Sequence, residues 1–520
     1  ASDVYKRQVQ LRAAQRAACK QLRGADPQLL ALVRYAVGTL KVNLRPVWAA
    51  SRETLVAMAG RLGEEVWRVS FAELQAADAL QVAGAEGDRG AEGDGGAEGD
   101  GVADEPDGAA ASEHPPDASD TVADVLLSDP TLQARLALLR TAIHVRAPAP
   151  LAATAASIAA RAAGTVRFDA ARFAHEVLAL YTAHAPLAER HSAAFVAHAA
   201  AQWATLVDAD AAHAPAAARL ERLRAYLETF AAFRHPAAMH DAPAMKQRFL
   251  DACAHPELAV QRAALDSLLA WRDAWLERHA DLLRGLLDPA RFRDTLAQAD
   301  LSAASEQIGA AERAEVMGVV VRVLYGLMVS RRGQRTSGAG QKARRAAILS
   351  ALYAAAPADL GLLVDLMLAS LGDAAGHVAG GVFVPGVPAA PARKQLGMLQ
   401  LLGDVLRHLG RPLAPSLPRL VGVTVSLAAA ACDDARREVR RAALRRLADL
   451  VRFDGIDWAV FAPPLLALVR PRLATFAADS VQAPSALLDL VRAWATRADT
   501  LRALALPDVL AAVFAGLSSA

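Results

Sequence analysis

The sequence predicts an all-α chain of stacked helix pairs carrying one disordered acidic insert. Three observations predict it. Hydrophobic residues make up 54% of the 520 but aromatics only 5%, so Ala and Leu dominate; both are strong helix formers, and β-branched runs are scarce. Apolar residues recur at three- and four-residue spacing in segment after segment. A Gly-, Pro- and acid-rich segment interrupts this pattern once, at 84–124.

The first eight residues, "ASDVYKRQ", do not begin with Met and read as a non-native scar, set aside from fold reasoning. The chain then reads as an internal fragment of a longer protein. Residues 9–83 read as N-terminal helical repeats, with helical spacing over Pro27–Leu40 and Arg52–Leu62. The insert holds "AEGD" three times, at Ala85, Ala91 and Ala97, and between Ala85 and Asp124 there are 13 acids against Arg89 alone. So little large apolar surface cannot offset the entropy of ordering, so the segment is expected to be disordered. It reads as a length-variable solvated loop in preference to an acidic mimic of nucleic acid. Without it the chain has 56 bases and 42 acids, a net charge of +14, which favours a polyanion as partner.

Helical repeats resume over 125–330. A capping Asp129 with Pro130 opens one helix. In His255–Leu276, Val260, Ala264, Leu268 and Trp271 share a helical face, and in Asp433–Val451 so do Val439, Ala443, Leu447 and Leu450. Both segments place a turn with Pro or acid before a helix carrying Val, then Arg, then Ala and Leu. That is the pattern of the second helix of a HEAT repeat, and such helices bury their faces only by stacking. The fold expected is therefore a HEAT- or armadillo-like helical-repeat solenoid, irregular in length and without one fixed period; an irregular helical bundle is the other option. Residues 331–345 read as a basic flexible loop, and 346–520 as further repeats. Gly380–Lys394 reads as a surface loop with a brief extended piece.

Tests for chemistry are negative. Gly333 and Gly338 have the spacing of a phosphate-binding loop, but Lys342 comes four residues after Gly338, and Val319–Met328 before it looks helical where that motif needs a strand. His175, His184, His191, His198 and His213 are dispersed, with no HExxH or CxxC pair, and read as surface or capped histidines. Cys19, Cys253 and Cys432 fit reduced thiols of a cytosolic or nuclear protein. No apolar window is long enough for a membrane span. The sequence points to no catalytic residue, cofactor, metal or small-molecule substrate.

Two basic clusters remain. Arg331, Arg332, Arg335, Lys342, Arg344 and Arg345 run without an opposing acid. Arg437, Arg441 and Arg445 form an i+4 row off the apolar face of their helix. Each is a candidate for RNA-phosphate contact, which gains by counterion release, or else a solvated face. Neither is interleaved with aromatics, so base stacking is not indicated.

Residues Ala311–Gly333, "AERAEVMGVVVRVLYGLMVSRRG", resemble the most recognisable block of the DRIM family, the homologues of small-subunit processome component 20. In that family RxELxPVLxRILYGRM precedes a basic Gly-rich loop and RxAVLRFLAG. Arg313, Glu315, Val319, Arg322, Val323, Leu324, Tyr325, Gly326 and Met328 match, followed by Arg344, Arg345, Ala346, Ile348 and Leu349; Leu327 stands where the family usually has a basic residue. Leu286–Ser302, Asp359–Leu371, Val384–Gly410, Leu413–Val423 and Ser485–Leu504 resemble further family blocks in order, so the likeness extends from about Pro256 to Ala520. The resemblance implies a long non-catalytic helical scaffold of the nucleus and nucleolus. It implies precursor ribosomal RNA and proteins of the U3 snoRNP and processome as partners, and support of 18S rRNA maturation and small-subunit biogenesis. A protein-binding HEAT adaptor of transport or phosphatase-scaffold type is the alternative.

Overall fold

A computed structural model describes residues 27–42, 45–89, 169–207, 216–330, 338–431, 436–475, 485–498, 500–501, 511 and 514. The described residues are helical apart from turns and one two-stranded hairpin. The expected helix after Asp129, and Cys19, His213 and Cys432, lie outside them. The chain divides into two units, Ala1–Phe249 with Asp266–Arg272, and Leu250–Leu265 with Asp273–Ala520.

The first unit contains α1 (Pro27–Thr39), α2 (Arg45–Arg89), α3 (Ala170–Ala183), α4 (Pro186–Arg190), α5 (Ser192–Val207) and α6 (Ala216–Ala231). The division runs through α7 (Ala242–Ala252) and α8 (Leu258–Leu269). Helix α2 kinks at Leu62 (φ −120°, ψ 36°), beside Gly63, where the sequence pattern of Arg52–Leu62 ends. It continues to Arg89, six residues into the segment read as the acidic insert; 90–124 lie outside the described residues. Asp169 caps α3 by accepting from the Arg172 amide at 2.9 Å. The core is aromatic: Trp67 stacks on Phe71 at 4.4 Å and on His191 at 4.7 Å. The Ser70 and Tyr181 hydroxyls share a hydrogen bond of 2.9 Å, and burial raises the Tyr181 hydroxyl above its usual pKa. His198 corrects the expectation of a surface histidine. It is half-buried, its side chain 9% exposed, with Nε2 2.8 Å from Asp78, which also pairs with the buried Arg222. The charged partner accounts for its burial.

Helix α8 ends before Trp271, because Arg272 takes left-handed backbone (φ 54°) and Asp273 stands at the N-cap of the next helix. Trp271 therefore leaves the helical face predicted for it. Its ring packs edge-on against Phe249 at 5.7 Å.

The second unit continues with α9 (Ala274–Arg278), α10 (Ala280–Leu287), α11 (Phe292–Gln298), α12 (Arg313–Val329), α13 (Gly338–Ala351) and α14 (Pro357–Ala369). A hairpin follows, β1 (His377–Ala379) and β2 (Val382–Val384), and then α15 (Ala392–Leu409), α16 (Leu417–Ala430), α17 (Arg437–Leu450), α18 (Trp458–Val469) and α19 (Ala486–Ala495). These helices alternate between two layers. Helix α12 packs on α14, the turn before α16 packs on α14, and α16 packs on α18. In the other layer α13 packs on α15, α15 on α17 and α17 on α19.

The repeat length emerges from contacts within that second layer. Gly403 faces Arg446, Gly410 faces Phe453, and Asp454 pairs with Arg497 at 2.8 Å. Every one of these pairs is 43 positions apart. Helices α15 and α17 therefore run parallel and in register, and the step is repeated just past the end of α19, within the range of HEAT repeats. The hairpin falls between α14 and α15 and lengthens that step, which is why no single period runs along the sequence.

The predicted extended piece is the hairpin, closed by Gly380 and Gly381 at positive φ (57° and 79°). Phe383 anchors it. Its ring lies 5.1 Å from Phe461, and a Cβ on Gly422 would come within 2.8 Å of it. The stretch Arg411–Ala430 is long and apolar enough to cross a membrane by composition, but it is mostly buried in the layers of this unit, as a core helix is.

Candidate nucleic-acid interface

The expected loop at 331–345 is only partly a loop. Helix α13 begins at Gly338, so Lys342, Arg344 and Arg345 are helical residues; Arg331, Arg332 and Arg335 lie outside the described residues. Two side chains fasten α13 to the end of α12. The Gln341 side-chain amide donates to the Ser330 carbonyl at 2.8 Å, and Arg345 Nε donates to the Met328 carbonyl at 2.8 Å. Both carbonyls stand at a helix C-terminus, where no intrahelical donor reaches them. Arg345 also pairs with Asp404 of α15 at 3.3 Å. It is thus committed to packing and leaves the candidate set. Lys342 is exposed and Arg344 half-exposed. The phosphate-loop spacing opens a helix that follows another helix, which removes the strand that such a loop requires.

The row on α17 lies off the apolar face of its helix. Val439, Ala443, Leu447 and Leu450 are buried, and Arg437, Arg441 and Arg445 are all exposed. The other two arginines of the helix are used internally. Arg440 donates to the Ala431 carbonyl at 2.9 Å. The Arg446 guanidinium lies over Gly403 and pairs with Asp449 at 3.3 Å. Arg441 and Arg445 make no ion pair among the described residues.

Charge separates the two layers. Helices α12, α14, α16 and α18 hold three bases and three acids, and all three bases pair with acids: Arg313 with Asp359, Arg322 with Asp251, and Arg419 with Asp365. Helices α13, α15 and α17 hold 11 bases and three acids, a net of +8. Sequence reasoning missed Arg393 of α15, which is exposed and stands 43 residues before Arg436. Only the repeat length, hidden by the hairpin, would have placed it beside the α17 row.

Elsewhere the ionisable groups serve the core. Cys253 is buried and its thiol is pushed up to about 12 by that burial, which keeps it protonated. Burial likewise pushes Tyr325 up to about 12. Among the described residues no cluster of three or more His, Cys, Asp or Glu is placed to hold a metal.

A family model described as "U3 small nucleolar RNA-associated protein 20, N-terminal" matches residues 217–520, more than half of the chain. The chain belongs to this U3-associated family. Its match begins in α6, upstream of the Pro256 where the sequence blocks become recognisable. Two relatives carry the name U3 small nucleolar RNA-associated protein 20. That of Schizosaccharomyces pombe is 28% identical over 273 residues, 48% of this chain and 11% of its own length. That of Saccharomyces cerevisiae is 24% identical over 289 residues, 52% of this chain and 11% of its own length. The chain thus spans about a tenth of the length of these family members. Both basic clusters fall inside the family match.

Proposed function

We propose that this chain forms part of a non-catalytic scaffold of the small-subunit processome. In this reading the whole protein supports processing of precursor ribosomal RNA towards 18S rRNA in the nucleolus, and its partners are pre-rRNA and proteins of the U3 snoRNP. The observation that carries the reading is membership of residues 217–520 in the U3-associated family. The segregated charge supports it, since a layer with net +8 suits a polyanion. The contacts proposed for RNA are Lys342, Arg344, Arg437, Arg441 and Arg445.

Depletion of the full-length protein in cells tests the proposal. The expected result is loss of 18S rRNA and of small subunits with the large-subunit RNA maintained, and crosslinked reads piled on pre-rRNA. Unchanged 18S maturation, or crosslinks to proteins alone, would overturn it and leave the protein-binding adaptor.

A further inference from the structure

We infer that the layer built by α13, α15 and α17 is a binding surface for the phosphate backbone of double-stranded RNA, centred on Arg437, Arg441 and Arg445 and extended sideways by Arg393. The inference rests on the pre-rRNA contact proposed above and narrows it to a class of RNA.

Four observations carry it. First, the positive charge is placed and not merely abundant: one layer of the unit has equal numbers of bases and acids with each base paired to an acid, and the other holds the surplus. Second, the row has phosphate spacing. Residues four apart on a helix are separated by about 6 Å along its axis, close to the distance between successive phosphates on one strand. Third, the array is two-dimensional. The constant 43-residue offset puts α15 and α17 in parallel register, so Arg393 stands beside the start of the α17 row, across the layer. Neighbouring helices lie roughly 8–10 Å apart. A single line of cations suits one strand; cations along and across the layer suit two strands bordering a groove. Fourth, α13, α15 and α17 contain no Phe, Tyr or Trp. Single strands are held largely by stacking on aromatics, whereas duplex RNA is held through phosphates and shape. The nearest exposed aromatic in sequence, Tyr353, lies beyond the end of α13.

The test uses the whole 520-residue chain. Binding is measured over a salt series for an RNA duplex of arbitrary sequence, for one of its strands, and for polyglutamate. The chain is expected to bind the duplex most tightly and without regard to sequence. The triple variant R437Q/R441Q/R445Q is expected to bind it at least ~10-fold more weakly, with the log–log salt slope reduced by roughly 2 to 3. Arg393→Gln should weaken binding less, and Tyr353→Ala not at all. The charge-keeping variant R437K/R441K/R445K should retain most of the affinity, which separates lost charge from lost folding. Wild-type affinity and slope in the triple Gln variant would overturn the inference. So would a single strand bound more tightly than the duplex and lost with Tyr353→Ala, polyglutamate bound as tightly as the duplex, or a folded Lys variant without binding. The same triple Gln change in the full-length protein tells the two readings apart. Normal 18S maturation alongside lost duplex binding would leave the surface standing and remove its place in ribosome assembly.

Discussion

The guanidinium of Arg446 occupies the place that a Cβ on Gly403 would take. This relationship joins α15 to α17 and sets Arg446, which also pairs with Asp449, apart from the outward row. Gly403→Ala meets two opposed effects. Alanine favours a helix interior over glycine by about 1 kcal/mol. Displacing the tip of a long side chain and loosening a partly exposed ion pair costs about the same or less. Denaturant unfolding of Gly403→Ala is therefore expected within ~0.5 kcal/mol of wild type. In an Arg446→Ala background the same change should stabilise by about 1 kcal/mol. A loss above ~2 kcal/mol in the single variant would mean that the backbones, not the guanidinium, set the spacing.

Gly326 in α12 predicts the opposite. A Cβ there would meet the Gln261 side-chain amide, the His255 carbonyl at 2.6 Å and the Ala254 carbonyl at 3.0 Å. Backbone carbonyls cannot swing away as a guanidinium can. Gln261 is itself fully buried and donates to the Cys253 carbonyl at 2.8 Å and the Val323 carbonyl at 3.0 Å. Gly326→Ala should lower stability by about 1–3 kcal/mol despite its better helix propensity. A variant as stable as wild type would show that the contact relaxes freely.

Arg345 and Lys342 stand three residues apart in one basic cluster, yet their side chains serve different ends. Arg345→Ala removes the bond to the Met328 carbonyl and the pair with Asp404, and should cost about 1–2 kcal/mol in unfolding measurements. Lys342→Ala, at an exposed position, should change stability by less than ~0.5 kcal/mol. Equal effects from the two substitutions would contradict these assignments.

Acid should weaken the first unit. Burial, with the charge of Arg172 added, holds His175 below the ordinary 6.5. Burial, with Arg190 and Arg234 added, does the same for His184. The folded state therefore favours the neutral rings, and the unfolded chain takes up protons first as pH falls. Stability from this source is present above about 6.5 and declines as pH drops through that value towards the folded pKa values. Thermal melts are expected at lower temperature at pH 5.5 than at pH 7, with a smaller difference in the His175→Gln, His184→Gln double variant. A melting temperature that climbed on acidification would reverse the sign of the argument.

The helical character and the outward row on α17 could be read directly from sequence, because both depend on local periodicity: Val439, Ala443 and Leu447 go in, so Arg437, Arg441 and Arg445 come out. The fate of Arg345 could not. Its partners, Met328 and Asp404, lie 17 and 59 positions away, and nothing local distinguishes it from Lys342. The helical start at Gly338 was obscured by glycines that usually mark loops. The burial of His198 depends on Asp78, which reaches it only through the fold. The 43-residue register was hidden for a similar reason: the Phe383 hairpin lengthens one step and breaks the arithmetic.

The segregation of charge has a mechanical consequence. Packing like charges on neighbouring helices stores repulsion along the stack, which counter-ions or a bound polyanion relieve. The layer that would grip RNA is therefore also the one most loosened without it, and occupancy would act on it as a splint. Added salt would stiffen the second unit while loosening its hold on RNA, so that rigidity and affinity answer to the same ions in opposite directions.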